Sequence, residues 1–314
     1  MAKFLCICLS STIQKTVNFK NILLGNVNRS LSYRMDASGK AVNSARVLNQ
    51  LENSCAKVIC PLGEKNKDLF LNLAEIDNLK ISFVTTPGFT RECLTLLNSF
   101  DSSTTELVVG EPDCDFEVRE KEAQILDLLR ENLKDADGIL FAGSRPSYWS
   151  EGIIPYMAKM ITDSKKIFLA DYHGKDLTKT LDICVPSIIK INLEEFLSTF
   201  GFPSYLSDEN LKEAVIQKSR ELKNIIIVTR GSFSTYAADC GEFAEFPTER
   251  VKTVNTTACG DSFSAGFLYE YVNSKNCFLR QYVRLCNLCC PEYRRFQFYL
   301  CFCLLSFQSL FLQS

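Results

Sequence analysis

Residues 254–267 read VNTTACGDSFSAGF and place an acidic side chain, Asp261, at the end of a Thr-Thr-Ala-Cys-Gly turn. Phe263, Phe267 and Tyr271 recur every four residues with Gly266 beside them, which is helical spacing on one buried face. Asp261 therefore falls at a helix N-terminus. There the orphan backbone N–H groups and the positive end of the helix dipole favour negative charge, whether a carboxylate or a bound phosphate. On its own the pattern fits a helix cap as well as an anion-binding turn.

A second turn carries complementary groups. Residues 36–51 read DASGKAVNSARVLNQL, a Ser-Gly-Lys turn leading into a helix marked by Val42, Ala45, Leu48 and Leu51. Gly39 permits a tight turn or close approach of a ligand to the backbone. Lys40 supplies a mobile cation, and Asn43 an amide that both donates and accepts. These groups suit a polyol or a phosphorylated sugar; alone, the turn is also an ordinary helix start.

The elements that must position these turns alternate. Short apolar runs at 4–9, 57–60, 138–142, 166–170, 187–191 and 224–229 read as strands covered on both faces. Helical spacing appears between them, in Ile125, Leu128, Leu129 and Leu133, in Ile154, Met157 and Ile161, and in Leu211, Ala214, Val215 and Leu222. The alternation predicts an α/β fold, a mostly parallel sheet flanked by helices, with ligands at the carboxyl ends of the strands. Two stretches break the rhythm with half-exposed β character, one within 15–37 and one within 81–110 that includes ISFVTT and ELVVG. They are expected to pair into a small sheet over the ligand end, serving as a lid, a dimer surface, or both.

Composition narrows the function classes. With 314 residues, 35 basic and 37 acidic side chains and a net charge of −2, nothing points to nucleic acid or to a polybasic membrane patch. Fifteen cysteines without an even framework in a large chain favour a reducing cytoplasm, and the run at 4–9 reads as a buried strand rather than an export signal. Cys277, Cys286, Cys289, Cys290, Cys301 and Cys303 crowd the end of the chain with Phe and Leu. Zinc ligation there lacks a supporting His, and the Gln and Ser residues of the last run weaken a membrane span. The reading adopted is one α/β domain over 1–290 and an atypical tail over 291–314, truncated or shifted in reading frame.

Taken together, the motifs resemble the ribokinase-like sugar kinases, the PfkB family. The turn at Lys40 resembles G-G-K-G-x-N-x-A-R-x-L, and TTACGDSFSAGF resembles D-T-T-G-A-G-D-x-F-x-A-G-F. In family order follow SSTIQKT at 10–16, LLGNVNR at 23–29, FAGSRP at 141–146, IKINLEEF at 189–196 and TRGSFSTY at 229–236. The match runs from about residue 4 to residue 289 and is nearest the branch acting on fructose 1-phosphate, fructose 6-phosphate or tagatose 6-phosphate.

The resemblance implies a ribokinase-like three-layer fold with a β-lid, and transfer of the γ-phosphoryl group of ATP with Mg2+. Asp261 is then the catalytic base, and the backbone N–H groups of Ala258, Cys259 and Gly260 form the anion hole. Gln14, Gly39, Lys40, Asn43, Arg91 and Ser144 are implied on the sugar phosphate, with Arg91 offering a guanidinium fork and Arg29 a weaker candidate. Lys190, Asn192, Thr229 and Gly231 are implied at the nucleotide, and Glu195 at magnesium through water. His173 receives no role. A homodimer through the lid is also implied.

Five departures from the pattern leave a second reading, a pseudokinase that binds sugar phosphate or nucleotide without turnover. Gln14 stands where the family has an Asp, and Ala258 where it has a Gly; Ser38 and Ala41 replace two glycines around Lys40, and Ser234 one in the nucleotide turn. If position 258 needs a positive φ, its methyl group carries a steric cost.

Overall fold

Phe4, Cys6 and Cys8 pack to one side of the first strand and Leu5, Ile7 and Leu9 to the other, as a strand covered on both faces must. The computed structural model describes residues 2–110, 118–248 and 258–274. Along the chain come β1 (Phe4–Ile7), β2 (Thr12–Phe19), β3 (Ser32–Ser38), α1 (Lys40–Leu51), β4 (Ala56–Gly63), α2 (Lys67–Ile76), β5 (Lys80–Thr86), β6 (Glu92–Asn98) and β7 (Thr104–Val109). They are followed by α3 (Val118–Leu133), β8 (Gly138–Ala142), α4 (Ile153–Asp163), β9 (Ile167–Asp171), α5 (Gly174–Leu181), β10 (Ile188–Asn192) and α6 (Leu193–Phe200). The rest comprises α7 (Asp208–Leu222), β11 (Ile225–Arg230), β12 (Phe233–Asp239), β13 (Glu242–Phe246) and α8 (Cys259–Ser274).

The main sheet has nine strands in the order β13-β12-β11-β10-β9-β8-β1-β4-β5. From β11 to β5 every pairing is parallel, and β12 and β13 add an antiparallel edge. One apolar core, including Val42, Leu48, Phe70 and Phe267, gathers α1, α2 and α8 on one face. The other, around Ile125, Trp149, Ile154, Phe196 and Val215, gathers α3 to α7. This is the expected ribokinase-like three-layer arrangement. Strand order reverses at β1, with β4 and β5 to one side and β8 to β11 to the other. A crevice at the carboxyl ends of the strands opens at such a reversal, and Ser10, Gly143, Asp171 and Asn192 all stand at or just after those ends.

A second sheet, ordered β3-β2-β6-β7, holds four strands. It is the expected small sheet with two corrections. It begins at Thr12 and runs to Ser38, slightly beyond 15–37. Moreover, ISFVTT does not belong to it: β5 pairs in parallel with β4 as the edge of the main sheet. An edge strand leaves part of its surface uncovered, so its residues are mostly half-buried, like those of β6 in the small sheet. The expected tail at 291–314, the cysteine cluster from Cys277 onward, and Thr256 and Thr257 lie outside the described residues. Among the described residues no helix is long and apolar enough to cross a membrane.

Candidate active site

The helix start inferred from sequence is α8, and Asp261 is its third residue. Its first bond runs from the Ser262 N–H to the Ala258 carbonyl at 2.9 Å, so Ala258 stands just before the helix and Cys259 and Gly260 open its first turn. Phe263, Phe267 and Tyr271 stack in series, with centroids 6.4 and 5.9 Å apart, fixing the helix against the core. Ala258 adopts φ +65°, the left-handed region in which a side chain carries a cost and glycine does not. The steric cost anticipated for this alanine is therefore present.

Asp261 is buried, at 7% exposure. Its Oδ2 accepts from Asn43 Nδ2 at 2.8 Å, and the Ser44 hydroxyl donates to its backbone carbonyl at 3.0 Å, so α1 holds both ends of the residue. Burial raises its pKa and Asp171 adds to the rise, while the Asn43 amide, Lys190 and Lys40 restrain it; the result is about 6. A carboxylate in that range is mostly ionised at neutral pH and still takes a proton readily.

Beside it lies a group that no motif singled out. Asp171, at the end of β9, is fully buried. Its Oδ2 accepts from Lys190 Nζ at 3.0 Å and from the Ser264 hydroxyl at 2.7 Å, and its Oδ1 faces Lys40 Nζ at 3.4 Å. Burial alone would raise the Asp171 pKa, but the two ammonium groups and the Ser264 hydroxyl outweigh it and hold the carboxyl below its ordinary value. For Lys40, burial works downward, and Asp171, Glu195 and Asp261 more than compensate, so the ammonium is held above the ordinary lysine range. A Cβ added at Gly260 would stand 3.0 Å from Lys190 Nζ, which puts that ammonium directly against the first turn of α8.

Asn192 and Glu195 form a capping box on α6: Asn192 Oδ1 accepts from the Glu195 N–H at 2.8 Å and Glu195 Oε2 from the Asn192 N–H at 2.9 Å. The other carboxylate oxygen lies 3.6 Å from Lys40 Nζ and 3.7 Å from His173 Nε2. The ends of β9 and β10 and the starts of α1, α6 and α8 thus meet in one charged cluster. Gly39 makes the closure possible, since at its φ of +125° a Cβ would stand 2.6 Å from Cys8 Sγ and 3.2 Å from the Ser10 carbonyl.

Other candidates lie around this centre. Arg91, between β5 and β6, donates from Nε to Thr12 Oγ1 at 2.7 Å and lines a small cavity with Ser10, Ser11, Gly63 and Thr90. Ser10 links that cavity to the cluster: a Cβ at Gly143 would meet Ser10 Oγ at 3.3 Å and Lys40 Cβ at 3.9 Å. Ser144 follows Gly143 and is exposed. Gln14, on β2, donates to Thr95 Oγ1 at 2.8 Å within the small sheet, and Arg29 is exposed. On the opposite flank Asn192, Thr229 and Gly231 line a larger cleft with Leu193, Phe202 and Phe233. Sequence reasoning missed Asp171 and Ser264, and it also missed Arg46, whose Nη1 donates to Asn43 Oδ1 at 2.9 Å. The signals that could have flagged them are a strand end for Asp171, a helix position within the Asp261 motif for Ser264, and, for Arg46, the Arg of the A-R step in the Lys40 motif.

The pfkB family carbohydrate kinase model matches residues 3–289. Among solved structures, Escherichia coli phosphofructokinase-2 in complex with substrates and products superposes with a TM-score of 0.83 at 16% identity, covering 97% of this chain and 100% of that one. Its tetrameric inhibited form gives 0.81 at 16%, with the same coverage. A Thermotoga maritima protein described as a possible 1-phosphofructokinase gives 0.81 at 15% identity, covering 91% of this chain and 90% of that one. At these identities the likeness is one of fold.

Proposed function

Because the chain belongs to the pfkB family of carbohydrate kinases, we propose that it transfers the γ-phosphoryl group of ATP to a hydroxyl of a phosphorylated hexose. Fructose 1-phosphate, fructose 6-phosphate and tagatose 6-phosphate are the acceptors in question. The observation that carries the reading is the position of Asp261, buried at the start of α8 with the two cations Lys40 and Lys190 beside it.

In this reading Asp261 takes the proton of the attacking sugar hydroxyl as the new oxygen–phosphorus bond forms. The bond from the γ-phosphorus to the β-γ bridging oxygen breaks, leaving ADP. The N–H groups of Ala258, Cys259 and Gly260 and the Lys190 ammonium stabilise charge on the transferred group as donors placed in advance. Lys40, held by Asp171 and Glu195, lies between the sugar and nucleotide sides. Arg91 and Ser144, with Gly39, Asn43 and Gln14, are assigned to the phosphorylated sugar. Thr229, Gly231 and Asn192 are assigned to the nucleotide, in the cleft they line.

Magnesium fits Glu195 in one way. One of its carboxylate oxygens is committed to the capping box and the other faces Lys40 and His173. That leaves one oxygen for a hydrated cation and no all-protein cage. Glu195, through water, would hold Mg2+, which neutralises phosphate charge when bound.

The exposed apolar side chains Tyr33, Leu107, Val108 and Val109 on the small sheet support a homodimer through that surface, and the compartment proposed is the cytoplasm. A second reading, a pseudokinase, draws on the left-handed Ala258 and on Gln14, whose amide is turned to Thr95. Coupled ADP-release assays with Mg2+, ATP and each phosphosugar decide between them. Turnover that Asp261→Asn abolishes supports the kinase, whereas saturable phosphosugar binding without turnover supports the pseudokinase.

A further inference from the structure

Asn43 is 9% exposed, and its two amide ends meet chemically opposite neighbours. Nδ2 donates to Asp261 Oδ2 at 2.8 Å, whereas Oδ1 accepts from Arg46 Nη1 at 2.9 Å and from the Ser38 hydroxyl at 3.0 Å. Which end of an amide is which follows from such a network, and here the network is one-sided. A guanidinium has donors only and an ionised carboxylate acceptors only. A flipped amide would set N–H against the Arg46 N–H and carbonyl oxygen against the Asp261 carboxylate. The Ser38 hydroxyl can rotate to donate or to accept, so it follows the orientation that Arg46 imposes and strengthens it. Ser38, one of the departures from the family glycines, thus has a partner.

We propose that Arg46 is a positioning residue: its guanidinium captures Oδ1 of Asn43 and thereby commits the amide N–H to Asp261. This rests on the kinase reading above and assigns to that site a residue one turn removed from the reacting atoms. Arg46 is itself anchored, through Nε to Asp77 Oδ2 at 2.7 Å and through Nη2 to the Ala37 carbonyl. A chain of hydrogen bonds, Asp77–Arg46–Asn43–Asp261, therefore runs from the end of α2 through α1 to α8. The other ionisable groups facing Asp261 are Asp171 on β9, Lys190 on β10, Lys40 on α1 and the buried Cys8 thiol following β1. Loss of the amide donor leaves those groups unchanged and removes a hydrogen bond that favours the ionised carboxylate.

The test uses the purified full chain. With Mg2+, ATP and the phosphosugar that turns over best, Arg46→Met is expected to lower kcat by about tenfold or more and to move the acid limb of the pH profile up by about half a unit or more. The KM for ATP stays within about twofold. Arg46→Lys, which keeps the cation and cannot bridge Asp77, Asn43 and Ala37 at once, moves the limb in the same direction by less; it also serves if Arg46→Met does not fold. Lowered activity with an unmoved acid limb in a folded variant overturns the proposal, since helix packing alone predicts that result. The carboxyl 13C signal of Asp261, identified by its loss in Asp261→Asn, is titrated in parallel without sugar or nucleotide. Absence of turnover in the unaltered chain would sink the kinase reading; this titration still judges Arg46, supporting it by an upward shift and rejecting it by none.

Discussion

Lys190 Nζ lies 3.0 Å from Asp171 Oδ2, and the two side chains are only 5% and 1% exposed. Removing one member of such a pair leaves the other charge buried without compensation, at a cost of about 3–5 kcal/mol. Asp171→Ala is therefore expected to lower the unfolding free energy by about that amount in urea titrations, and to abolish turnover. The sign with pH follows from the lowered Asp171 pKa. Its contribution is present above the unfolded-state value of about 3.9 and is lost as pH falls through the lower folded value. The unaltered protein should lose stability across that acid window, and Asp171→Asn should lose less there.

Asp261 works in the opposite direction. Its folded pKa of about 6 lies above the ordinary aspartate value of 3.8, so ionisation at neutral pH costs folding free energy, on the order of 3 kcal/mol. The penalty is absent below the unfolded value and complete above the folded one. Asp261→Asn is expected to raise the unfolding midpoint at pH 8 while eliminating turnover, with the gain shrinking toward pH 4. A variant no more stable than the parent at pH 8 would contradict the assigned strain. In the parent, kcat/KM should fall as pH drops through about 6.

What was legible in the sequence and what was not divide along physical lines. Asp261 could be placed because Phe263, Phe267 and Tyr271 declare a helix whose start is then determined. The strand ends were legible because both faces of β1 and β8 are buried and their residues are continuously apolar. Asp171 was not, because its importance comes from β9 and β10 lying side by side, which brings Lys190 to it across the sheet. ISFVTT was misplaced because an edge strand of a parallel sheet and a strand of a lid bury their residues to a similar degree. Ser38 reads as a lost glycine until α1 folds back and gives its hydroxyl the Asn43 carbonyl.

Ala258 offers a gain rather than a loss. A non-glycine residue in the left-handed region costs about 1 kcal/mol or somewhat more, and glycine gives back part of that through the greater freedom of the unfolded chain. Ala258→Gly is expected to leave stability unchanged or raise it by up to about 1 kcal/mol. Because this residue begins the turn that leads to Asp261, kcat should rise, and a kcat lowered more than about threefold would show that the methyl group contributes to the site.

Gly39 permits no such exchange. It joins β3 to α1 at φ +125°, where an added Cβ would stand 2.6 Å from Cys8 Sγ, 3.2 Å from the Ser10 carbonyl and 3.4 Å from Ser11 Cα. Cys8 is wholly buried behind it and two of the three contacts are backbone, so neither side can retreat without moving the turn after β1. Backbone strain of about 1–3 kcal/mol then adds to the overlap. Relief requires Lys40 and the first turn of α1 to shift, and with them Asn43, the donor to Asp261. Gly39→Ala is expected to lower the unfolding free energy by about 3 kcal/mol or more, and to depress turnover by more than the loss of folded protein explains. Thermal denaturation alongside single-turnover rates at a temperature where the variant is fully folded separates the two effects, and a variant of parental stability would show that the turn has room the backbone geometry denies.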